Sequence, residues 1–257
     1  MGRKLNARLE RKVALVTGAA RGIGRAIAAR LASEGAAVAI CDIQAERAAT
    51  TAGEIRAAGA SAMSVAMDVA DLDQVAAAAE KVEAQLGPIG ILVNNAGWER
   101  IMPFLDSTPE LWDRIIAINY RGTLNCCKVV APFMKERGSG KIVSIASDAG
   151  RVGSTGEAVY SGCKAAIIGF SKTLARELAK YRVNVNVVCP GPTDTEMLHD
   201  VMGDRPNLLE SLKRGIPFGR LGEPGDLAGA VAFFASPDAD FITGQVLSVS
   251  GGLTMAG

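Results

Sequence analysis

Three observations predict an α/β fold built on a doubly wound parallel sheet. A strand, glycine turn and helix follow one another within Val13 to Gly24; apolar runs of strand length alternate with longer helical stretches; and an acidic residue, Asp42, closes the second apolar run. At 257 residues, 49% of them hydrophobic, the chain can bury a substantial core within one domain. No linker, low-complexity tract or internal repeat divides it.

Val13, Leu15 and Val16 form the first buried strand, and Ile23, Ala26, Ile27, Ala28 and Leu31 the apolar stripe of the first helix. Between them Gly18, Gly22 and Gly24 lie in T-G-x-x-x-G-x-G spacing. They let backbone approach a pyrophosphate, and the helix N-terminus adds N–H groups and about half a unit of positive charge. Ala37 to Cys41 is a second strand and delivers Asp42 about 20 residues beyond the glycines, where a carboxylate accepts hydrogen bonds from an adenosine ribose. A 2′-phosphate within about 4 Å of Asp42 would meet roughly 4 kcal/mol of repulsion at an effective dielectric near 20, which favours NAD. Arg21, in the glycine turn, is the residue that could assist a 2′-phosphate.

Gln44 to Ala58 reads as a helix and Ser61 to Met67 as a third strand ending at Asp68-Val69. Two roles are open to Asp68: receiving an adenine amino group, or capping the helix from Leu72 to Leu86. Ile89 to Val93 is a fourth strand entering Asn94-Asn95-Ala96-Gly97, where small residues admit a cofactor and amides can fix adjacent strands. Trp98 follows, placed to line a substrate pocket. A long helix is predicted from about Thr108 to Arg137, with Asn119 in its middle as the mark of a kink or a polar task. Lys141 to Ile145 is a fifth strand that delivers Ser147. Tyr160 and Lys164 then share one face of a helix, i and i+4. Val183 to Val188 is a sixth strand broken by Cys189-Pro190-Gly191-Pro192; Thr195 to Lys213, interrupted by Gly203 and Pro206, reads as a mobile lid; Asp226 to Ala235 is a last helix and Gln245 to Val249 a seventh strand.

A formal charge of +1 argues against a nucleic-acid binder. Arg3 to Lys12 is a solvated basic arm without the apolar run of a signal peptide, and no stretch reaches the 18 or so apolar residues of a membrane span. A cytoplasmic chain with no membrane partner is expected. The five cysteines lack C-x-x-C spacing and read as reduced, buried thiols. His199 is the only histidine and lies in a polar segment, which disfavours a histidine-bearing zinc site and a Ser-His-Asp hydrolase.

Taken together, Thr17-Gly18 with Gly22 and Gly24, Asn94 to Gly97, Asn119, Ser147, Tyr160-x-x-x-Lys164 and Pro190-Gly191 resemble the short-chain dehydrogenase/reductase family from about Lys12 onward. The resemblance implies a Rossmann-like, seven-stranded parallel sheet with helices on both faces, assembled as a homotetramer. It implies that Tyr160 is the general base for alcohol oxidation, with Lys164 lowering its pKa from about 10. Ser147 would hydrogen-bond the substrate oxygen, and Asn119 would hold a water linking Lys164 to solvent. The same resemblance assigns NAD contacts to Gly18, Arg21, Gly22, Ile23, Gly24, Asp42, Ile43, Asp68 and Val69. It adds Asn94, Asn95, Ala96, Gly97, Tyr160, Lys164, Pro190 and Gly191, with Thr193 meeting the carboxamide and Thr195 offering a hydroxyl.

A narrower likeness lies in Ile145 to Gly153, Gly156 to Tyr160, Val188 to Thr195 and Phe241 to Met255. These look like the 2-hydroxycyclohexanecarboxyl-CoA dehydrogenases, which oxidise a ring hydroxyl beside a CoA thioester. On that likeness the small-molecule substrate is an acyl-CoA, Trp98, Val152 and Met197 to Leu212 are apolar walls, and Arg100, Arg151, Lys213 and Arg214 are phosphate candidates. An NADPH-dependent 3-oxoacyl reductase of fatty acid synthesis resembles the chain at the same catalytic positions. A catalytically silent dinucleotide sensor is the reading of another class.

Overall fold

The computed structural model describes residues 7–203 and 206–256. Seven strands form one parallel sheet in the order β3-β2-β1-β4-β5-β6-β7: β1 Val13–Thr17, β2 Ala37–Asp42, β3 Ala62–Ala66, β4 Ile89–Asn94, β5 Gly140–Ile145, β6 Val183–Pro190 and β7 Val246–Val249. Helices alternate with them: α1 Gly22–Ser33, α2 Ala45–Ala57, α3 Leu72–Gln85, α4 Pro109–Ile116, α5 Gly122–Arg137, α6 Ala149–Val152, α7 Ala158–Leu178, α8 Glu196–Met202, α9 Pro206–Gly215 and α10 Pro224–Ala235.

The strands read as unbroken apolar runs because both faces are covered. In β1, Ala14 and Val16 enter a core shared with α1, α2 and α10, whereas Val13 and Leu15 enter one shared with α3, α5 and α7. Chain order reverses between β1 and β4, so the crevice that such sheets use for ligands opens at Thr17 and Asn94.

Several local expectations change. The helix predicted from Thr108 to Arg137 is two helices joined by a π-helical turn at Ala117–Arg121. Asn119 is the cause: its side-chain amide donates to the Ile115 carbonyl at 2.9 Å, taking the acceptor that its own backbone N–H would use in a regular helix. Asp71, not Asp68, caps α3, accepting from Asp73 N and Gln74 N. Asp68 instead accepts from Ala70 N at 2.9 Å. The basic arm is solvated only in part, because Leu9 is fully buried and Arg8 bonds Glu34 and Asp238; its residues 1–6 lie outside the described residues. The segment read as a mobile lid forms α8 and α9, with 204 and 205 outside the described residues. The five cysteines are buried and free, and His199 is exposed, its Nε2 lying 2.7 Å from Asp194 Oδ1. No helix among the described residues is long and apolar enough to cross a membrane.

At Gly18 and Gly24 the glycine turn is packed beyond what a side chain permits. A methyl at Gly24 would lie 2.2 Å from the Gly18 carbonyl oxygen and 2.4 Å from Asn95 Nδ2. Gly24→Ala should therefore push the turn off β4, lowering stability by about 1–3 kcal/mol and dinucleotide affinity at least about tenfold. Calorimetry and titration check this; unchanged affinity would show that the turn is not the cradle.

Candidate active site

The crevice is a cavity of about 870 Å³ running from the glycine turn to α7. At its floor, Thr17 Oγ1 accepts from Asn95 N and Ala96 N, both at 3.0 Å, and Asn95 Nδ2 donates to Thr17 O at 2.9 Å and Gly18 O at 3.0 Å. Gly18 and Gly22 have φ of +61° and +56°, the left-handed conformation that glycine adopts without strain. Arg21 precedes α1 without a side-chain cap, so the first-turn N–H groups of α1 are left to face the crevice. An uncapped helix start beside glycines that admit no Cβ fits a dinucleotide pyrophosphate.

Most sequence-predicted residues line this one cavity: Gly18, Arg21, Gly22, Ile23 and Gly24 at the turn, Asp42, Ile43, Asp68 and Val69 at one end, and Asn95, Ala96 and Gly97 along the floor. Pro190, Gly191, Thr193 and Thr195 line it opposite the turn, with Trp98, Ser147, Val152, Tyr160 and Lys164 at the other end. Of the predicted catalytic and cofactor residues, two do not reach it. Asn94 lies beneath, donating to Ser144 Oγ at 3.2 Å and Cys127 Sγ at 3.3 Å, and so ties β4 to β5 and α5. Asn119 is fully buried behind Gly97, with its amide on the Trp98 carbonyl at 2.7 Å and its oxygen taking Trp98 N at 3.4 Å. Of the phosphate candidates, Arg151 bonds Ser248 Oγ and the Ala256 carbonyl and Lys213 bonds Glu210, none of which faces the cavity.

Asp42 is nearly buried, with Oδ2 accepting from Ala20 N at 3.0 Å and Oδ1 from Gln44 N at 2.9 Å. Each oxygen keeps a lone pair for a ribose hydroxyl. Arg21 does not stand free: its guanidinium donates to Glu196 at 2.9 Å, as does Arg47. These two cations hold the Glu196 carboxyl below the usual carboxylate range.

At the other end, β5 hands Ser147 to the cavity and α7 stacks Tyr160 and Lys164. Lys164 Nζ donates to the Ile145 carbonyl at 3.0 Å and lies 5.3 Å from the Tyr160 ring centroid. A methyl at Gly97 would come 3.0 Å from Asn119 Oδ1 and 3.5 Å from Lys164 Nζ, so this glycine makes room for both. Burial lowers the Lys164 ammonium to a pKa of about 8. Burial, followed by the charges of Glu99 and Glu157, pushes Tyr160 above its ordinary value, against a Ser147 hydrogen bond that pulls it down. The expected lowering of Tyr160 by Lys164 is not seen: Lys164 is not among the groups that shift it, and only Ser147 pulls it down.

Among the lining residues to which the sequence reading gave no role are Glu99, Arg114, Glu157 and Glu196. Glu99 immediately follows Trp98 and Glu157 stands three residues before Tyr160, which was the available signal. Arg114 lies 3.9 Å over the Trp98 ring, and no spacing rule joins those two positions.

Fold and site together define an oxidoreductase of the dinucleotide-binding class. The chain matches the family described as Enoyl-(Acyl carrier protein) reductase over residues 18–254. It is 41% identical to the 3-oxoacyl-(acyl-carrier-protein) reductase of Staphylococcus aureus, covering 95% of this chain and 98% of that one. It is also 41% identical to the sorbitol dehydrogenase of Cereibacter sphaeroides, covering 97% and 100%. A solved 3-oxoacyl-(acyl-carrier protein) reductase with bound NAD from Brucella melitensis superposes with a TM-score of 0.91 at 34% identity, covering 98% of this chain and 95% of that one. The chain belongs to the short-chain dehydrogenase/reductase family, and is a short-chain alcohol dehydrogenase/ketoreductase.

Two of the perturbed groups give stability opposite pH limbs. Glu99, raised from 4.5 to about 8 by burial and then by Glu157, contributes stability that is lost as pH rises through that window. Lys164, lowered from 10.5 to about 8, is costly while charged, and its contribution recovers between about 8 and 10.5. Lys164→Met should remove the alkaline recovery and at pH 7 leave the protein at least as stable, by up to about 3 kcal/mol. Thermal melts across pH without added dinucleotide check this; a less stable variant that keeps the alkaline rise would contradict it.

Proposed function

We propose that the protein oxidises a secondary hydroxyl of a cyclic 2- or 3-hydroxyacyl-CoA, such as 2-hydroxycyclohexanecarboxyl-CoA, to the ketone with NAD. One observation carries the reading: Ser147, Tyr160 and Lys164 line the same cavity as the glycine turn and Asp42, so the reacting carbon and a dinucleotide share one enclosure. When bound, the nicotinamide supplies the hydride acceptor. Tyr160 Oη takes the hydroxyl proton, Ser147 Oγ donates to the substrate oxygen, and the Lys164 ammonium stabilises the tyrosinate once it forms. Asn119 holds the backbone of Trp98, the aromatic wall beside the substrate.

The choice of NAD rests on Asp42 and on Arg21 being engaged by Glu196 rather than offered to a 2′-phosphate. The thioester rests on the sequence likeness at Ile145 to Gly153 and Val188 to Thr195, and on apolar walls from Trp98, Val152, Met197, Leu198 and Leu212. The homotetramer belongs to the same reading, with exposed Phe218, Phe241 and Met255 as apolar surface for it. A second reading, reduction of a 3-oxoacyl thioester on an acyl carrier protein with NADPH, is favoured by the names of the Staphylococcus and Brucella relatives. It uses the same groups in reverse.

Initial rates separate the two. We expect kcat/KM at least about tenfold higher with NAD than NADP, since about 1.4 kcal/mol of the Asp42 repulsion suffices. Asp42→Ala should narrow that gap, and Glu196→Gln, which releases Arg21, should narrow it further. Equal or reversed preference, with faster reduction of a 3-oxoacyl thioester by NADPH, would establish the second reading instead.

A further inference from the structure

The turn that carries Ser147 is held more firmly than a strand end requires. β5 stops at Ile145, and Asp148, immediately after Ser147, reaches across to the next two strands. Its backbone N–H donates to the Pro190 carbonyl at the end of β6 at 3.0 Å. Its Oδ1 accepts from Ser248 Oγ on β7, the residue paired with Cys189 of β6. Arg151, three residues further along, donates from Nη1 to the same Ser248 Oγ at 2.9 Å, so the serine's own proton is directed at Asp148. On the other side, a Cβ at Gly150 would lie 2.7 Å from Ala165 N and from the Lys164 carbonyl carbon, so α6 rests directly on the backbone of α7.

The sheet does not need this link, since β6 and β7 are already paired from Val187 to Pro190. The link also carries a penalty. Asp148 is only 5% exposed, and its Oδ2 is buried with no hydrogen-bond partner among the described residues. A buried polar atom left unpaired costs stability, so its retention calls for a reason. The neighbouring residue supplies one. Ser147 Oγ accepts from Ala149 N, at the start of α6, at 3.1 Å. That fills one acceptor position of the hydroxyl and leaves its proton to be donated into the cavity, which Ser147, Asp148 and Ala149 all line. Where the proton points is therefore set by where the first turn of α6 sits.

We propose that Asp148 and Ser248 are positioning residues for Ser147: their hydrogen bond fastens the first turn of α6 to β7, and so aims the Ser147 hydroxyl at the substrate oxygen. This inference rests on the role of Ser147 as that donor, given above, and is independent of which substrate and dinucleotide react. Its physical basis is that a reacting group is only as well placed as the residues that support it, and that a small misplacement of such a group is costly in rate.

The test follows reduced nicotinamide in a single turnover, with whichever pair reacts faster, the hydroxyacyl-CoA with NAD or the 3-oxoacyl thioester with NADPH. Ser248→Ala should lower the saturated rate about tenfold while dinucleotide affinity stays within about threefold of wild type, because a misaimed donor acts at the reacting atoms and not at the glycine turn. Asp148→Ala should do the same, and Asp148→Asn, which keeps an acceptor for Ser248, should recover most of the rate. In a Ser147→Ala background, where no hydroxyl is left to aim, adding Ser248→Ala should slow the reaction by less than about threefold. Ser248→Cys, similar in shape but a weak donor, replaces Ser248→Ala if the latter melts below the assay temperature. An unchanged rate in Ser248→Ala, a rate as low in Asp148→Asn as in Asp148→Ala, or the full tenfold loss repeated in the Ser147→Ala background overturns the inference and leaves Ser147 its role. The underlying reading fails separately: a Ser147→Ala variant at the wild-type rate would remove the donor itself, and the positioning pair with it.

Discussion

The clamp between the ends of β1 and β4 is what the cavity depends on. Thr17 Oγ1 receives two backbone N–H groups from the residues after β4, while Asn95 returns its amide to the carbonyls of Thr17 and Gly18. Four polar groups are satisfied at the point where chain order reverses, and each would be costly to leave unpaired in a half-buried place. The clamp fixes the glycine turn against Ala96 and Gly97. Gly97 in turn sets the space left for Asn119 and Lys164. The glycine turn and the Ser147, Tyr160 and Lys164 group are thus held in one frame by a few hydrogen bonds across a strand pair.

Dryness governs the chemistry at the other end. Lys164 is almost wholly buried, and its single protein acceptor, the Ile145 carbonyl, does not offset the loss of water around the ammonium. Tyr160 is pushed upward by the same loss and by the charges of Glu99 and Glu157, so the protein's own groups do not poise it for proton abstraction. Tyr160 would ionise only with positive charge brought beside it, which an oxidised nicotinamide held in this cavity would supply.

The sheet was legible because strands covered on both faces must be apolar throughout, and because glycine spacing before a helix has few other uses. Asp42 was legible for the same reason, since a strand end fixes where its side chain points. The π-helical turn was marked only by Asn119, whose amide competes for a helix carbonyl; the sequence signals that competition but not the turn it produces. Asp71 and Asp68 are both acceptable caps by type, and only backbone geometry chooses between them. The ion pair of Arg21 with Glu196 and the placing of Glu99 and Glu157 in one cavity are products of packing across the cavity, which no local pattern encodes. Arg8 and Leu9 show the converse: a basic stretch reads as solvated although one apolar residue and two carboxylates are enough to dock it.

The central claim is that Tyr160 moves the proton in a cavity whose dinucleotide cradle is a separate part of the same frame. Single-turnover mixing of the protein with NAD and a hydroxyacyl substrate, following reduced nicotinamide, tests it most directly when wild type is compared with Tyr160→Phe. The account predicts stoichiometric reduced nicotinamide from wild type and a rate lower by about 10² to 10⁴ in the variant, with NAD affinity within about threefold of wild type. A variant that keeps more than about a tenth of the rate, or that fails only because it no longer binds NAD, would contradict it.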